Sequence, residues 1–154
     1  MPSIEEIDMK VAYVAGYWST NIGNAFFNLG ADYVLKKIFG EKNVNAIFDH
    51  PAGIIRSHKH KGNPKRSLSI IEHTKTDIIV LLGPVLSRDF LTIWSDTIIS
   101  LHNKGTKYMI LSCGFMKYNS ENVEEIKTFF DKYPPLLVTT RDRNAYDVLK
   151  DCSF

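Results

Sequence analysis

The 154-residue chain carries 19 basic and 17 acidic side chains for a net charge of +2, with 44% hydrophobic and 23% charged residues. That balance suits one globular domain and by itself selects no strongly charged partner. No stretch approaches the ~18 apolar residues of a membrane helix. The N-terminus, Met-Pro-Ser-Ile-Glu-Glu-Ile-Asp, is acidic and lacks a hydrophobic signal region, and Cys113 and Cys152 are too few for a disulfide framework. The expectation is therefore a cytoplasmic protein with no membrane span.

The stretch that organises the chain runs from Lys10 to Gly30. Lys10 to Val14 is rich in β-branched and aromatic residues and reads as a strand; Ala15 to Gly23 is a loop; a helix follows. A strand that breaks at glycine and re-enters as a helix is how a parallel α/β sheet begins. Asn21 is placed to cap that helix, and Ile22, Phe26, Leu29 and Tyr33 make one apolar face of it. Gly40 is suited to its C-terminus. Gly30, inside the helix, costs about 1 kcal/mol relative to alanine, and close packing on the first strand would account for it. Gly16 and Gly23 do not form the Gly-x-Gly-x-x-Gly of a dinucleotide site, which disfavours a nicotinamide cofactor.

Val44 to Phe48 reads as a second strand, and Asp49 to Ser67 as a long connection punctuated by Pro51, Gly53, Gly62 and Pro64. Connections of that length are functional or mobile. The segment is basic: Arg56, Lys59, Lys61, Lys65 and Arg66 fall in residues 50–71 without an acid, so the rest of the chain is net acidic. Asp77 to Leu82 is a continuous apolar run, as in a strand buried on both faces. Ser87 is a candidate N-cap for a helix whose buried stripe is Phe90, Trp94, Ile98 and Leu101, closed by Gly105. Lys107 to Ser112 is a fourth strand. Val123, Ile126, Phe130 and Tyr133 face inward on the next helix, which Pro134-Pro135 end. Leu136 to Thr140 is a fifth strand, and Asp142 opens a last helix. The alternation implies a three-layer, doubly wound, Rossmann-like α/β domain with a parallel sheet of about five strands. The order expected is 3-2-1-4-5, with the first strand central.

In such sheets ligands bind beyond the carboxyl ends of the strands. The residues delivered there include Gly16, Tyr17, Asn21, Gly83, Pro84, Ser87, Cys113, Gly114, Arg141 and Asp142. Arg141 offers a bidentate fork to a carboxylate or phosphate, or pairs with a neighbouring acid; Asp142 is a rim carboxylate or a helix cap. Cys113 follows a strand, but Leu111 occupies the position where a nucleophile elbow has glycine, so a buried, inert thiol is favoured. His58 and His60, flanked by lysines and without a third ligand, fall short of a metal site. The basic segment lacks interleaved aromatics and makes a thin footprint for nucleic acid.

Taken together, Asn21-Ile22-Gly23-Asn24, Asp77-Ile-Ile-Val-Leu-Leu-Gly-Pro-Val-Leu-Ser, Leu111-Ser-Cys-Gly, and Thr139-Thr-Arg-Asp followed by Tyr146 resemble the polysaccharide pyruvyl transferase family. The resemblance covers nearly all of residues 10–151. It implies a GT-B-like architecture with the active site between two Rossmann-like halves. It also implies transfer of a pyruvyl group from phosphoenolpyruvate, as donor substrate, to a hydroxyl of a cell-surface glycan, with no further cofactor. The chain departs from the pattern at Leu82-Gly83-Pro84, where a glycine cluster is common, and at Asn24, where aspartate is common. The resemblance carries over Asn21, Gly23, Gly83 and Arg141 as substrate-binding candidates, joined by Ser87 from topology. Asp142 is the nominee for the base that the sugar hydroxyl needs.

On this reading residues 1–154 are a single domain, the acceptor-side N-terminal half of such a transferase, with the family's second domain absent. The isolated chain is then expected to be inactive and to self-associate through apolar surface near Leu149 and Phe154. The alternatives are a non-catalytic sugar- or nucleotide-binding Rossmann-like module and an amidohydrolase acting through Cys113.

Overall fold

The computed structural model of the chain describes residues 8–15, 22–47, 69–87, 89–116 and 120–152. The central strands form where the sequence is continuously apolar, and their C-terminal ends set the rim on which the candidate residues sit. In chain order the elements are β1 (Val11–Val14), α1 (Ile22–Phe39), a 3-10 turn (Glu41–Asn43), β2 (Val44–Ile47), α2 (Ser69–His73), β3 (Ile78–Leu82) and β4 (Leu86–Ser87). There follow α3 (Phe90–Asn103), β5 (Lys107–Cys113), β6 (Phe115–Met116), α4 (Ser120–Lys132), β7 (Leu137–Thr140) and α5 (Arg143–Leu149).

The main sheet has five strands in the order β2-β1-β3-β5-β7, every neighbouring pair parallel. A three-layer Rossmann-like α/β fold is thus present, but its strand order is 2-1-3-4-5 rather than 3-2-1-4-5. The middle strand is β3, not β1. The two most buried strands lie inside the sheet, β1 between β2 and β3 and β3 between β1 and β5, while the four-residue β2, which leaves Asn45 exposed, takes an edge. β4 and β6 pair parallel in a separate two-stranded ladder, which the sequence pattern does not announce.

Two apolar layers sandwich the sheet. On one face Ala12, Val14, Ile79, Leu81 and Ile110 meet Ile71 of α2, Phe90, Trp94, Ile98 and Leu101 of α3, Ile126 and Phe130 of α4, and Leu149 of α5. Phe90 sits edge-on to Phe130, ring centroids 5.7 Å apart. On the other face Val11, Tyr13, Val44, Ile78, Val80 and Met109 pack with Leu35 of α1. The stripes expected on α3 and α4 are the ones buried, with Tyr133 only partly so. Gly40 and Gly105 end α1 and α3 at positive φ, as their sequence positions anticipate.

α1 departs from expectation. The face bearing Ile22, Phe26, Leu29 and Tyr33 is exposed, and Leu35 makes the buried contact with the sheet. Gly30 does not pack on β1, since a Cβ built there would meet nothing within 4 Å. Leu149 is buried rather than available for association. The connection over residues 49–67, the histidines His58 and His60, and Phe154 lie outside the described residues.

Candidate functional site

The carboxyl ends of β3, β5 and β7 place Gly83, Cys113-Gly114 and Arg141-Asp142 along one rim. The Gly83 N–H donates to the Leu111 carbonyl at 2.9 Å, and the Arg141 N–H to the Cys113 carbonyl at 3.0 Å, so main-chain bonds lock the three strand ends together. β5 reaches this rim through an irregularity. Ser112 has a φ of 56°, the register with β7 shifts between Ile110 and Cys113, and the Ser112 N–H donates to Thr139 Oγ1 at 2.9 Å. The bulge turns Cys113 into the layer that also holds Phe90 and Trp94.

Arg141 starts on the edge strand but does not stay there. Its side chain crosses the end of β5 through the space that a Cβ on Gly114 would fill, 2.7 Å from the Arg141 Nε. The guanidinium ends 5.9 Å from the ring centroid of Phe27, in the second turn of α1. Arg141 Nε stands 4.0 Å from Asp142 Oδ2, too long for a hydrogen bond, and both side chains remain more than two-fifths exposed. A half-exposed arginine fork is therefore held over the N-terminal half of an 18-residue helix whose first turn carries no acid. The fork can there accept a carboxylate or phosphate through two N–H donors.

Asp142 divides its two oxygens. Oδ1 accepts from the Ala145 N–H at 2.8 Å and caps α5, while Oδ2 faces the Gly114–Arg141 side. Ser87 is not the N-cap of α3: Asp89 holds that position, and Ser87 sits in β4, its Oγ accepting from the Asp89 N–H at 3.3 Å. Through the pairing of Ser87 with Met116, the β4–β6 ladder is anchored just beyond Gly114. Gly23 lies in the first turn of α1. Asn21, Gly16 and Tyr17 lie outside the described residues.

Cys113 is fully buried, and burial, with the Asp142 charge adding to it and Arg141 opposing, lifts its thiol from 9.0 to about 12. A thiol so placed is protonated near neutral pH and out of reach of a substrate, which argues against an amidohydrolase built on it. Phe27 was not a binding candidate by sequence pattern, and Gly114 was one only through its place at the end of a strand. Phe27 reads as one more apolar helix residue; Gly114 was visible only as a glycine after a strand.

A family model described as polysaccharide pyruvyl transferase matches residues 21–154. The chain belongs to the polysaccharide pyruvyl transferase family. The match spans the rim of the sheet from the first turn of α1 to Arg141 and Asp142. No curated relative and no solved structure matched the chain. Among the described residues no helix is long and apolar enough to cross a membrane.

Proposed function

We propose that this domain forms the acceptor-side half of a pyruvyl transferase and binds its ligands along the rim at Gly23, Gly83, Ser87, Gly114, Arg141 and Asp142. The reaction joins two hydroxyl oxygens of a glycan to C2 of phosphoenolpyruvate. The methylene carbon takes up one hydroxyl proton to become a methyl group, and phosphate leaves with the other. The chemistry needs a cationic fork for the donor's carboxylate or phosphate and a carboxylate to receive a hydroxyl proton. Arg141 is the fork in this reading, and Asp142 Oδ2 is the base. The acceptor is a glycan hydroxyl, the donor phosphoenolpyruvate, and a second domain completes the cleft; placement between two halves supplies much of the rate.

The observation that carries the proposal is the path of Arg141: it runs through the gap left by Gly114 to lie over Phe27 beside the start of α1. A purely structural arginine would gain more from a direct ion pair, yet among the described residues its nearest acid sits at 4.0 Å. A second reading, a sugar- or nucleotide-binding module without catalysis, is favoured by the engagement of Asp142 Oδ1 as a helix cap.

Titration of the chain with phosphoenolpyruvate and, separately, with galactose- or mannose-bearing acceptors separates them. Arg141→Lys keeps the charge but loses the fork, so binding should weaken by about tenfold while the melting temperature barely moves. Unchanged binding with a large loss of stability would make the arginine structural. Glycan binding without any response to phosphoenolpyruvate would leave the binding-module reading.

A further inference from the structure

α1 offers an apolar surface that the fold does not use. Ile22, Phe26, Leu29 and Tyr33 are 74%, 68%, 68% and 65% exposed, and Val34 and Ile38 about half. Helix geometry arranges part of this set as a single ridge. Ile22, Phe26, Gly30, Val34 and Ile38 follow one another at i, i+4 spacing, the row that packs into a neighbouring helix. Its midpoint is Gly30, above which a Cβ would find open space. The ridge therefore has a notch at its centre.

We propose that this face is a self-association surface, on which α1 of a second copy crosses antiparallel with the two Gly30 residues at the crossing point. The register favours a second copy over an unrelated partner. In an antiparallel pair centred on residue 30, positions whose numbers add to 60 face each other: Ile22 meets Ile38 and Phe26 meets Val34. Each of these apolar side chains thus finds an apolar counterpart, as a two-fold interface requires of one surface facing itself.

Charge fits the same arrangement. Lys37, on the exposed side of the helix, bends over the Tyr33 ring, its Nζ 5.7 Å from the centroid. Its counterpart is Gly23, and the two copies of Lys37, fourteen positions apart along the paired helices, stand about 20 Å from each other. The exposed apolar residues of α1 present roughly 700 Å² in all, above the usual largest apolar patch of a monomer, and a helix crossing would cover part of it. Gly30 explains itself in this light. Its cost in helix propensity is offset by the close approach of two helix backbones.

Sedimentation velocity and light scattering on the full chain test the proposal. The expected mass is twice the 17.6 kDa of the chain, with dissociation on dilution. Gly30→Leu fills the notch, and its Cβ would meet nothing within 4 Å in the single copy. It should keep or raise the melting temperature and weaken the dimer at least tenfold. Phe26→Lys should do the same to the dimer. Gly30→Cys, with Cys152→Ser to remove the more accessible native thiol, should cross-link to itself under mild oxidation and run as a covalent dimer on a non-reducing gel. A wild-type chain of 17.6 kDa at every concentration overturns the proposal. So does a dimer that Gly30→Leu leaves intact. A monomer whose Phe26→Lys variant melts well below the wild type would show that the chain's own residues cover the face, and overturns it equally.

Discussion

A Cβ placed on Gly114 would lie 2.7 Å from Nε of Arg141, so the conformation of the arginine and the absence of a side chain at position 114 are one feature. The same Cβ would stand 3.2 Å from Asp142 Oδ2. Glycine at the end of β5 is what lets a side chain rooted on the edge strand reach back towards α1.

Gly114→Ala is therefore expected to separate stability from binding. The atom it displaces belongs to a flexible, half-exposed side chain, so the fold should lose less than about 1 kcal/mol. The guanidinium, however, must leave its place over Phe27. Calorimetric melting together with a phosphoenolpyruvate titration checks this; a variant that binds like the wild type would detach Arg141 from the site.

Asp142 can be tested in its two capacities independently. Asp142→Ala removes the cap from α5 and should cost about 1 kcal/mol, whereas Asp142→Asn retains a side-chain oxygen for the Ala145 N–H and should melt close to the wild type. If Oδ2 takes a proton during transfer, the asparagine variant keeps ligand binding and loses turnover when assayed together with the rest of the cleft. Full turnover by Asp142→Asn would remove it from the chemistry.

Stability should fall in alkali. Burial raises the Cys113 thiol from 9.0 to about 12, and burial with the hydrogen bond to Asp32 raises the Tyr13 phenol from 10.0 to about 12; Tyr108, buried and donating to the Tyr133 carbonyl at 2.6 Å, is raised as well. Each group holds its proton in the folded chain at pH values where the unfolded chain has released it. Their contribution is thus fully present below about pH 9 and is lost as pH climbs from about 9 towards 12. Melting curves between about pH 7 and 11 should show a decline setting in near 9, shallower in Tyr108→Phe. A melting temperature constant to pH 11 would contradict these burials.

Ser112 stores backbone strain at φ 56°. Ser112→Gly accepts that conformation without penalty, while Ser112→Val, β-branched, resists it. Chemical denaturation should rank glycine at or above serine and valine below both, with more than about 1 kcal/mol between the extremes. Equal stability of the glycine and valine variants would mean the bulge is unstrained.

Local physics made much of this fold legible. Trp94 and Phe90 on α3, or Ile126 and Phe130 on α4, repeat at helical spacing, and in these two helices the apolar stripe is the side laid on the sheet. The run Ile78 to Leu82 declares a strand buried on both faces, and Asp142 declares a cap, because capping needs only the residues that follow. The rim itself follows from topology once the strands are known, and a family pattern of local segments suffices to recognise it.

Other features depend on contacts between distant parts of the chain. A strand-loop-helix alternation is equally compatible with the orders 3-2-1-4-5 and 2-1-3-4-5, since both use the same right-handed crossovers. What separates them is whether β3 settles on the outer edge of β2 or, as here, on the free edge of β1, where Lys10 meets Asp77, 67 residues later. On α1 the periodicity finds an apolar stripe but not its partner, and the sheet took Leu35 while Ile22, Phe26, Leu29 and Tyr33 faced outward. The course of Arg141 through the gap at Gly114 to Phe27 joins three elements that no local pattern connects. Residue spacing determined the elements and their apolar faces, whereas the choice of which faces meet belongs to the tertiary structure, because burial free energy depends on area covered and not on which part of the chain covers it.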